Sequence, residues 1–343
     1  MKIGITYDLI TDYLDSGFSE EEAAEFDRAE TIEGIENALR YLEYETDRIG
    51  SVKNLIQRLV SGDRWDMVFN IAEGIKGFAR EAQIPAILEV FDIPYTFSDP
   101  MVLALTLHKG MTKHVVRDSG IPTPDFCVAK DLKDLDRITL PFPLFAKPVA
   151  EGTGKGITSR SKVRTEAELY SVCQDLFMTY DQPILVETFL PGREFTVGIT
   201  GTGKKSIAIG VMEVLLGKEA EPDVYSFSNK KEFEERVSYV CVDDSEARYA
   251  AKIALDAWRC LGCRDGGRVD VRSDKKGIPH FLEVNPLAGL NPEISDLPIL
   301  CRLSGITYIE LIDQIMESAM ERVFFSFFDG RSRFGASPPL QQM

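Results

Sequence analysis

The sequence predicts an α/β fold of the mixed (α+β) kind, with a Rossmann-like N-terminal domain ahead of antiparallel sheets. Three observations predict it. Strands alternate with helical patterns over residues 3–71, which is the signature of a parallel sheet. Further β runs follow between residues 142 and 214 with Gly- and Pro-containing turns between them. Residues 267–290, GRVDVRSDKKGIPHFLEVNPLAGL, place two runs rich in Val, Phe and Leu on either side of a polar, Gly-terminated turn, so they read as an antiparallel hairpin.

The chain has 343 residues and is 44% apolar, enough for two or three cores. Its 39 basic and 55 acidic residues give a net charge of -16, and no basic stripe runs along it. Nucleic acid and anionic membranes are therefore excluded as expected partners. The first apolar run meets Asp8, Asp12 and Asp15, which is not the pattern of a signal peptide, and no segment reaches the roughly 20 apolar residues of a membrane span. A cytoplasmic protein is expected. Six scattered cysteines do not form a disulfide framework, and the Cys260–Cys263 spacing closes an apolar helix pattern, so buried thiols are expected there.

Taken in order, residues 3–7 alternate as the first strand, and residues 29–42 carry apolar side chains at helical spacing with Thr31 as cap. Residues 12–27 are crowded with acids and read as a solvated loop or polar helix. A strand-helix unit spans 45–61, and 65–71 is the third strand. It ends in Asn70-Ile-Ala-Glu73-Gly74, at the carboxyl edge where open parallel sheets bind ligands, although a plain turn would look the same.

A first domain of residues 1–100 is expected. A helix follows with Leu103, Leu107, Met111 and Val115 on one stripe and Lys109 off it. Then come a strand with Lys147, the glycine-rich stretch 151–156, another strand from Ile157, a helix over 165–179 and a strand over 183–190. Three glycines in five residues let a backbone curl around an anion, and equally serve any tight turn. The polar segment 216–238, with Lys230 and Lys231, is either a lid or a solvated loop. Helices over 245–261 and 306–320 flank the hairpin, and 332–343 reads as a loose tail.

The hairpin carries the densest chemistry. A four-residue loop, 274–277, would pair Asp270 with Phe281 and Arg268 with Glu283, putting Arg268, Asp270, Glu283 and Asn285 on one face. Two carboxylates and an amide oxygen are the hard donors that hold Mg2+ when phosphate oxygens complete the shell, and an arginine beside them can stabilise developing negative charge. An exposed strand face of mixed charge would look the same in sequence.

In this order and spacing the chain resembles the ATP-grasp enzymes, and among them the D-alanyl-D-alanine ligases. The resemblance rests on Glu89-Val-Phe-Asp-Ile-Pro94-Tyr95-Thr96, the helix with Lys109, Lys147-Pro148, Glu151-Gly152-Thr153, Val186-Glu187, Glu194-Phe195-Thr196-Val197, Gly267-Arg268-Val269-Asp270 and Glu283-Val-Asn285. It implies a two-part ATP-grasp fold after the Rossmann-like domain, with parts at 101–180 and 181–325 and a tail at 326–343.

It also implies roles. Lys109 and Lys147 would hold ATP phosphates. Glu187 would meet the adenine amino group, Phe189 and Leu190 the linker beside it, and Glu194 the ribose. Phe145 and Leu282 would line the adenine slot, although strand parity turns Phe281 inward instead. Asp270, Glu283 and Asn285 match the family's Mg2+ ligands, with Mn2+ as a substitute. Arg268 and the N–H of Gly289 match groups around the tetrahedral intermediate, and Ser295 the acceptor carboxylate site. His108, His114 and His280 receive no catalytic role.

Departures from the family pattern concern the amino-acid side. The glycine pair after the first strand is replaced by Tyr7-Asp8-Leu9, and Glu25-Phe-Asp27 matches the family's first-substrate glutamate only with a one-residue slip. Thr153 and Gly154 stand at two serines, and Lys230-Lys231 at the lid's Lys-Tyr. The resemblance implies a homodimer joining the carboxylate and the amine of two amino acids, either D-alanines or others. An ATP-grasp kinase of a small molecule and a non-catalytic ATP-binding regulator are the alternatives.

Overall fold

The computed structural model describes residues 1–217 and 237–328. The first unit runs β1 (Lys2–Thr6), α1 (Ile10–Asp15), α2 (Ala29–Tyr41), β2 (Glu45–Gly50), α3 (Val52–Val60), β3 (Met67–Asn70) and α4 (Gln83–Val90). Its three strands form a parallel sheet in the order β2-β1-β3. All four residues of β3 are buried, as expected of a strand covered on both faces.

Next come α5 (Pro100–Leu107), α6 (Lys109–Asp118), β4 (Phe126–Ala129), β5 (Leu144–Pro148), β6 (Lys162–Val163), α7 (Glu166–Tyr180) and β7 (Ile184–Thr188). Their antiparallel sheet has the order β4-β7-β5-β6, so it takes in a strand beyond residue 180. The third group comprises β8 (Glu194–Thr200), β9 (Ile207–Leu216), β10 (Val237–Cys241), α8 (Ser245–Leu261), β11 (Gly266–Ser273), β12 (Pro279–Asn285), α9 (Asp296–Leu303) and α10 (Tyr308–Phe328). Its antiparallel sheet runs β10-β9-β8-β11-β12.

Local signals explain most of the helices. Asp244 accepts the Glu246 and Ala247 N–H groups at 3.0 Å and caps α8, whose buried stripe of Ala247, Ala250, Ile253, Ala254, Ala257, Trp258 and Leu261 packs on the large sheet. Gly262 ends that helix with φ +79°, a conformation that suits glycine. The indole of Trp258 packs so closely that a Cβ on Gly267 would approach it to 2.8 Å.

Several sequence expectations need correction. Thr31 is not a cap: α2 starts two residues earlier, and the buried Thr31 hydroxyl accepts the Asn291 amide. The strand expected from Ile157 is confined to Lys162–Val163, and α9 was not expected. The stripe Leu103–Leu107–Met111–Val115 is interrupted at His108, where the backbone leaves the helical region; Lys109 N–H is drawn to the Val149 carbonyl at 3.0 Å instead. Met111 is consequently exposed, whereas Lys109 is buried. The acidic stretch 12–27 turns inward at its end, burying Ala23, Phe26 and the Glu25 side chain. Cys263 is buried but Cys260 is exposed beside Ser119; all six thiols are free. Residues 230, 231 and the tail from 332 lie outside the described residues.

The hairpin register also differs from expectation. The loop takes in Ile278, because Asp274 N–H bonds the Ile278 carbonyl at 2.9 Å, which shifts the pairing by one. A β-bulge at Leu282 shifts it by one more: Val271 faces Phe281, whereas Asp270 faces Glu283 and Arg268 faces Asn285. The two shifts restore the parity, so the four polar residues still share a face.

The cores of the first and last segments are one. Ile3, Ile5, Ile32, Ile35 and Phe69 pack with Leu287, Leu297, Leu311, Ile312, Ile315 and Met316 in a single buried cluster. Asp265 pins this junction: fully buried, it accepts the Phe97 N–H at 2.7 Å, the Ser318 hydroxyl at 2.9 Å and both Nε and Nη2 of Arg322. Asp265→Ala would leave the Phe97 N–H, the Ser318 hydroxyl and the half-buried Arg322 guanidinium without their shared acceptor and is expected to cost about 3 kcal/mol, read as a drop in the urea midpoint.

Candidate active site

Two cavities meet between the sheets. The first, about 740 Å³ with its open mouth, lies between the β5–β7 pair and the β11–β12 hairpin. It gathers Lys109, Phe145, Lys147, Glu187, Phe189, Leu190, Glu194 and Leu282, the eight residues matched above to nucleotide contacts, together with Asp270 and Glu283. The second, about 700 Å³, is lined by Glu25, Thr153, Arg268, Asn285 and Gly289. Lys109 and Glu283 line both.

Each position follows from strand geometry. On β5, Phe145 lies opposite Glu187 of β7, and Lys147 two residues on points the same way. On β12 the bulge turns consecutive residues, Leu282 and Glu283, into the cleft while Phe281 enters the core. Parity alone had assigned Phe281 to the site. Phe145 and Phe189 face each other with centroids 6.5 Å apart and planes 28° apart, forming an apolar wall.

The charges are interlocked. Lys147 Nζ lies 3.1 Å from Glu283 Oε2 and 3.5 Å from Glu187 Oε1. Lys109 Nζ donates to the Glu151 carbonyl at 2.7 Å and is 3.8 Å from Glu283. Burial would lower the Lys147 pKa, but Glu283 and Glu187 outweigh it and hold the ammonium charged. At Lys109 burial wins and the pKa falls. Burial would raise Glu187, but Lys113 and Lys147 keep it low.

On the hairpin face Arg268 pairs with Asp270 and lies 3.5 Å from Asp296, while Asp270 Oδ1 accepts the Thr196 hydroxyl at 2.9 Å. Desolvation works against the Arg268 charge, and the surrounding carboxylates more than offset it.

The amino-acid end is less like the expectation. Glu25 does reach the second cavity, but its carboxylate is occupied by Arg80 at 2.9 Å, Lys155 at 3.3 Å and the Gly152 N–H. The glycine-rich stretch is a pair of turns that spends part of its N–H set internally, Lys155 bonding the Gly152 carbonyl and Ile157 that of Gly154. Thr153 is exposed with φ 52°. Ser295 sits behind Gly289, its hydroxyl accepting the Asn291 N–H at 3.0 Å. The three histidines hold structural contacts; His108 Nδ1 accepts the Met111 N–H.

Sequence reasoning missed several members. Lys113, one helical turn beyond Lys109, is wholly buried against Glu187 at 2.7 Å; its i, i+4 spacing was a usable signal. Arg272 continues the face of Arg268 and Asp270, bonds Glu194 at 3.0 Å and lies over the Phe189 ring. Arg80 and Glu81 come from loops whose pairing no local pattern announces, whereas Glu73, at the strand end singled out above, and Lys155, in the glycine-rich stretch, were in view without a partner assigned.

Whether this set could hold a metal is decided by its donors. Among the described residues no three His, Cys, Asp or Glu side chains are grouped closely enough to hold an ion by themselves. The hairpin instead offers two opposed carboxylates and the Asn285 amide, whose oxygen is the atom a hard cation would take. That composition fits Mg2+ or Mn2+, which use one or two carboxylates and take remaining oxygens from phosphates.

Comparison with known proteins agrees with this geometry. The family model described as "D-ala D-ala ligase C-terminus" matches residues 115–317. The chain is 34% identical over 247 residues to D-alanine--D-alanine ligase of Bordetella avium, spanning 71% of this chain and 75% of that protein. It is 33% identical over 262 residues to uncharacterized protein y4sG of Sinorhizobium fredii, spanning 75% and 76%. In fold it is similar to the solved D-alanine--D-alanine ligase of Bacillus anthracis complexed with ATP, at a TM-score of 0.72 and 22% identity over 95% of this chain and 99% of that one. The match covers over half of the chain, and the polar hairpin face falls inside it: this chain belongs to the D-alanine--D-alanine ligase family of ATP-grasp enzymes, ATP-dependent ligases that form a C–N bond.

Proposed function

We propose that the chain joins two amino acids through an acyl phosphate, with D-alanine the substrate that its relatives' names suggest. The carrying observation is that Lys109 and Glu283 line both cavities, so charges suited to a triphosphate stand where a nucleotide pocket opens into a second pocket. Phe145, Phe189, Leu190 and Leu282 would sandwich the base, Glu187 would accept from its amino group, and Glu194 would take the ribose. Lys109 and Lys147 would hold the phosphates.

Asp270, Glu283 and Asn285 would hold Mg2+, which when bound would neutralise phosphate charge during transfer. The carboxylate of the first substrate attacks the γ-phosphorus as the bond to the β–γ bridging oxygen breaks and ADP leaves; the neutral amine of the second then attacks the acyl carbon, phosphate leaves and the nitrogen gives up a proton. Arg268, charged throughout, and the Gly289 N–H would stabilise the oxyanion of that second step. Thr153, Ser295, Lys230 and Lys231 would act on the amino-acid side.

Three separate sheets support a division into three parts, with the second boundary placed after β7 so as not to split its sheet. No helix among the described residues is long and apolar enough to cross a membrane, which supports a cytoplasmic setting; a homodimer follows from family likeness.

Incubation with Mg-ATP and D-alanine should release ADP and phosphate in step with a dipeptide seen by mass spectrometry, and propionate alone or ethylamine alone should release neither. A stable phosphorylated amino acid would instead make it a kinase. Lys147→Ala and Glu283→Gln are each expected to lower kcat/KM for ATP by about 10²-fold or more, checked by steady-state ADP formation beside an unchanged circular dichroism spectrum.

A further inference from the structure

The second cavity gathers more carboxyl groups than the single ammonium of an alanine would answer. Glu25, whose family counterpart meets the first substrate's ammonium, is already compensated: Arg80 binds one oxygen, and Lys155 and the Gly152 N–H bind the other. Two further carboxylates, Glu73 and Glu81, line the same cavity. Among the described residues neither makes a hydrogen bond or an ion pair within 4.0 Å.

Both sit where a charge is costly. Burial and the neighbouring Glu25 push Glu81 up to about 7, against the pull of Arg80 and Lys109. Burial, with Glu81, Glu25 and Asp27 around it, raises Glu73 well above the usual carboxylate range. Two carboxyls in this condition each gain from a cation brought into the cavity. The Mg2+ proposed above rests on the hairpin residues Asp270, Glu283 and Asn285, and among the described residues Glu73 and Glu81 belong to no group of three acidic, His or Cys side chains that could hold a second ion.

The cation must therefore come with the substrate. An amino acid whose own carboxylate faces Arg268 and the Lys109–Glu283 junction offers one ammonium, which satisfies one of the two. We infer that the amino acid seated in this cavity is a basic one, a diamino acid of ornithine or lysine type, whose α-ammonium and side-chain ammonium are held by Glu73 and Glu81. This rests on the ligase function proposed above and narrows its substrate class.

The discriminating pair is ornithine and norvaline, which share a carbon skeleton and differ by the terminal amine. ADP formation by the full chain, with both enantiomers of each supplied against alanine, should favour ornithine over norvaline in kcat/KM by roughly tenfold or more. Glu73→Gln and Glu81→Gln, folded by circular dichroism, should each shrink that ratio several-fold. Equal or better use of norvaline would overturn the inference while leaving the ligase function standing. If no acid and amine pair yields ADP, the ligase function itself fails. Thermal stabilisation by ornithine and norvaline with a non-hydrolysable ATP analogue then decides the inference alone, and equal shifts for both would overturn it.

Discussion

The bulge at Leu282 is the constraint on which the cleft depends. A strand alternates its side chains, so a regular β12 could offer the cleft either Leu282 or Glu283, never both. One extra residue resolves this by turning both inward, so an apolar wall and an acidic group arise from adjacent positions. It also sets Glu283 directly across from Asp270 and Asn285 across from Arg268, which concentrates the polar atoms of two strands into one patch. The five-residue turn before it is matched to the bulge; either alone would rotate part of the set into the core.

Charge compensation is the second organising feature. Lys109, Lys113 and Lys147 are buried, a condition tolerated only because Glu187 and Glu283 stand against them. Arg268 is likewise held between Asp270 and Asp296. The same cations that suit a triphosphate satisfy the protein's carboxylates in its absence. Nucleotide binding at such a site is an exchange of partners, with little bare charge at either end, and the hairpin patch is kept from collapsing inward meanwhile.

Much of this was legible in the sequence where a local period carries the information. Spacing in β11 and β12 put Arg268, Asp270, Glu283 and Asn285 on a shared face, a result kept because the longer turn and the bulge cancel, and order along the chain aligned Phe145, Lys147, Glu187 and Glu194 around one cavity. What escaped depends on distant contacts. The break at His108 exists because the Val149 carbonyl takes the Lys109 N–H, a bond to the residue just past β5, forty positions away. Phe281 and Leu282 were exchanged because a bulge leaves no periodic trace. Glu25 was found, but its guanidinium and ammonium partners lie in separate loops, so its state could not be foreseen.

The shared core of residues 3–97 with residues 287–319 has a bearing on biosynthesis. The first sheet emerges from the ribosome well before α9 and α10, whose apolar side chains share its buried cluster. Its part of that cluster has to wait through the synthesis of about two hundred intervening residues, an interval in which exposed apolar strands invite association with other chains. Chaperone occupancy of the nascent N-terminal segment is the natural counterpart of a domain completed by its own far end.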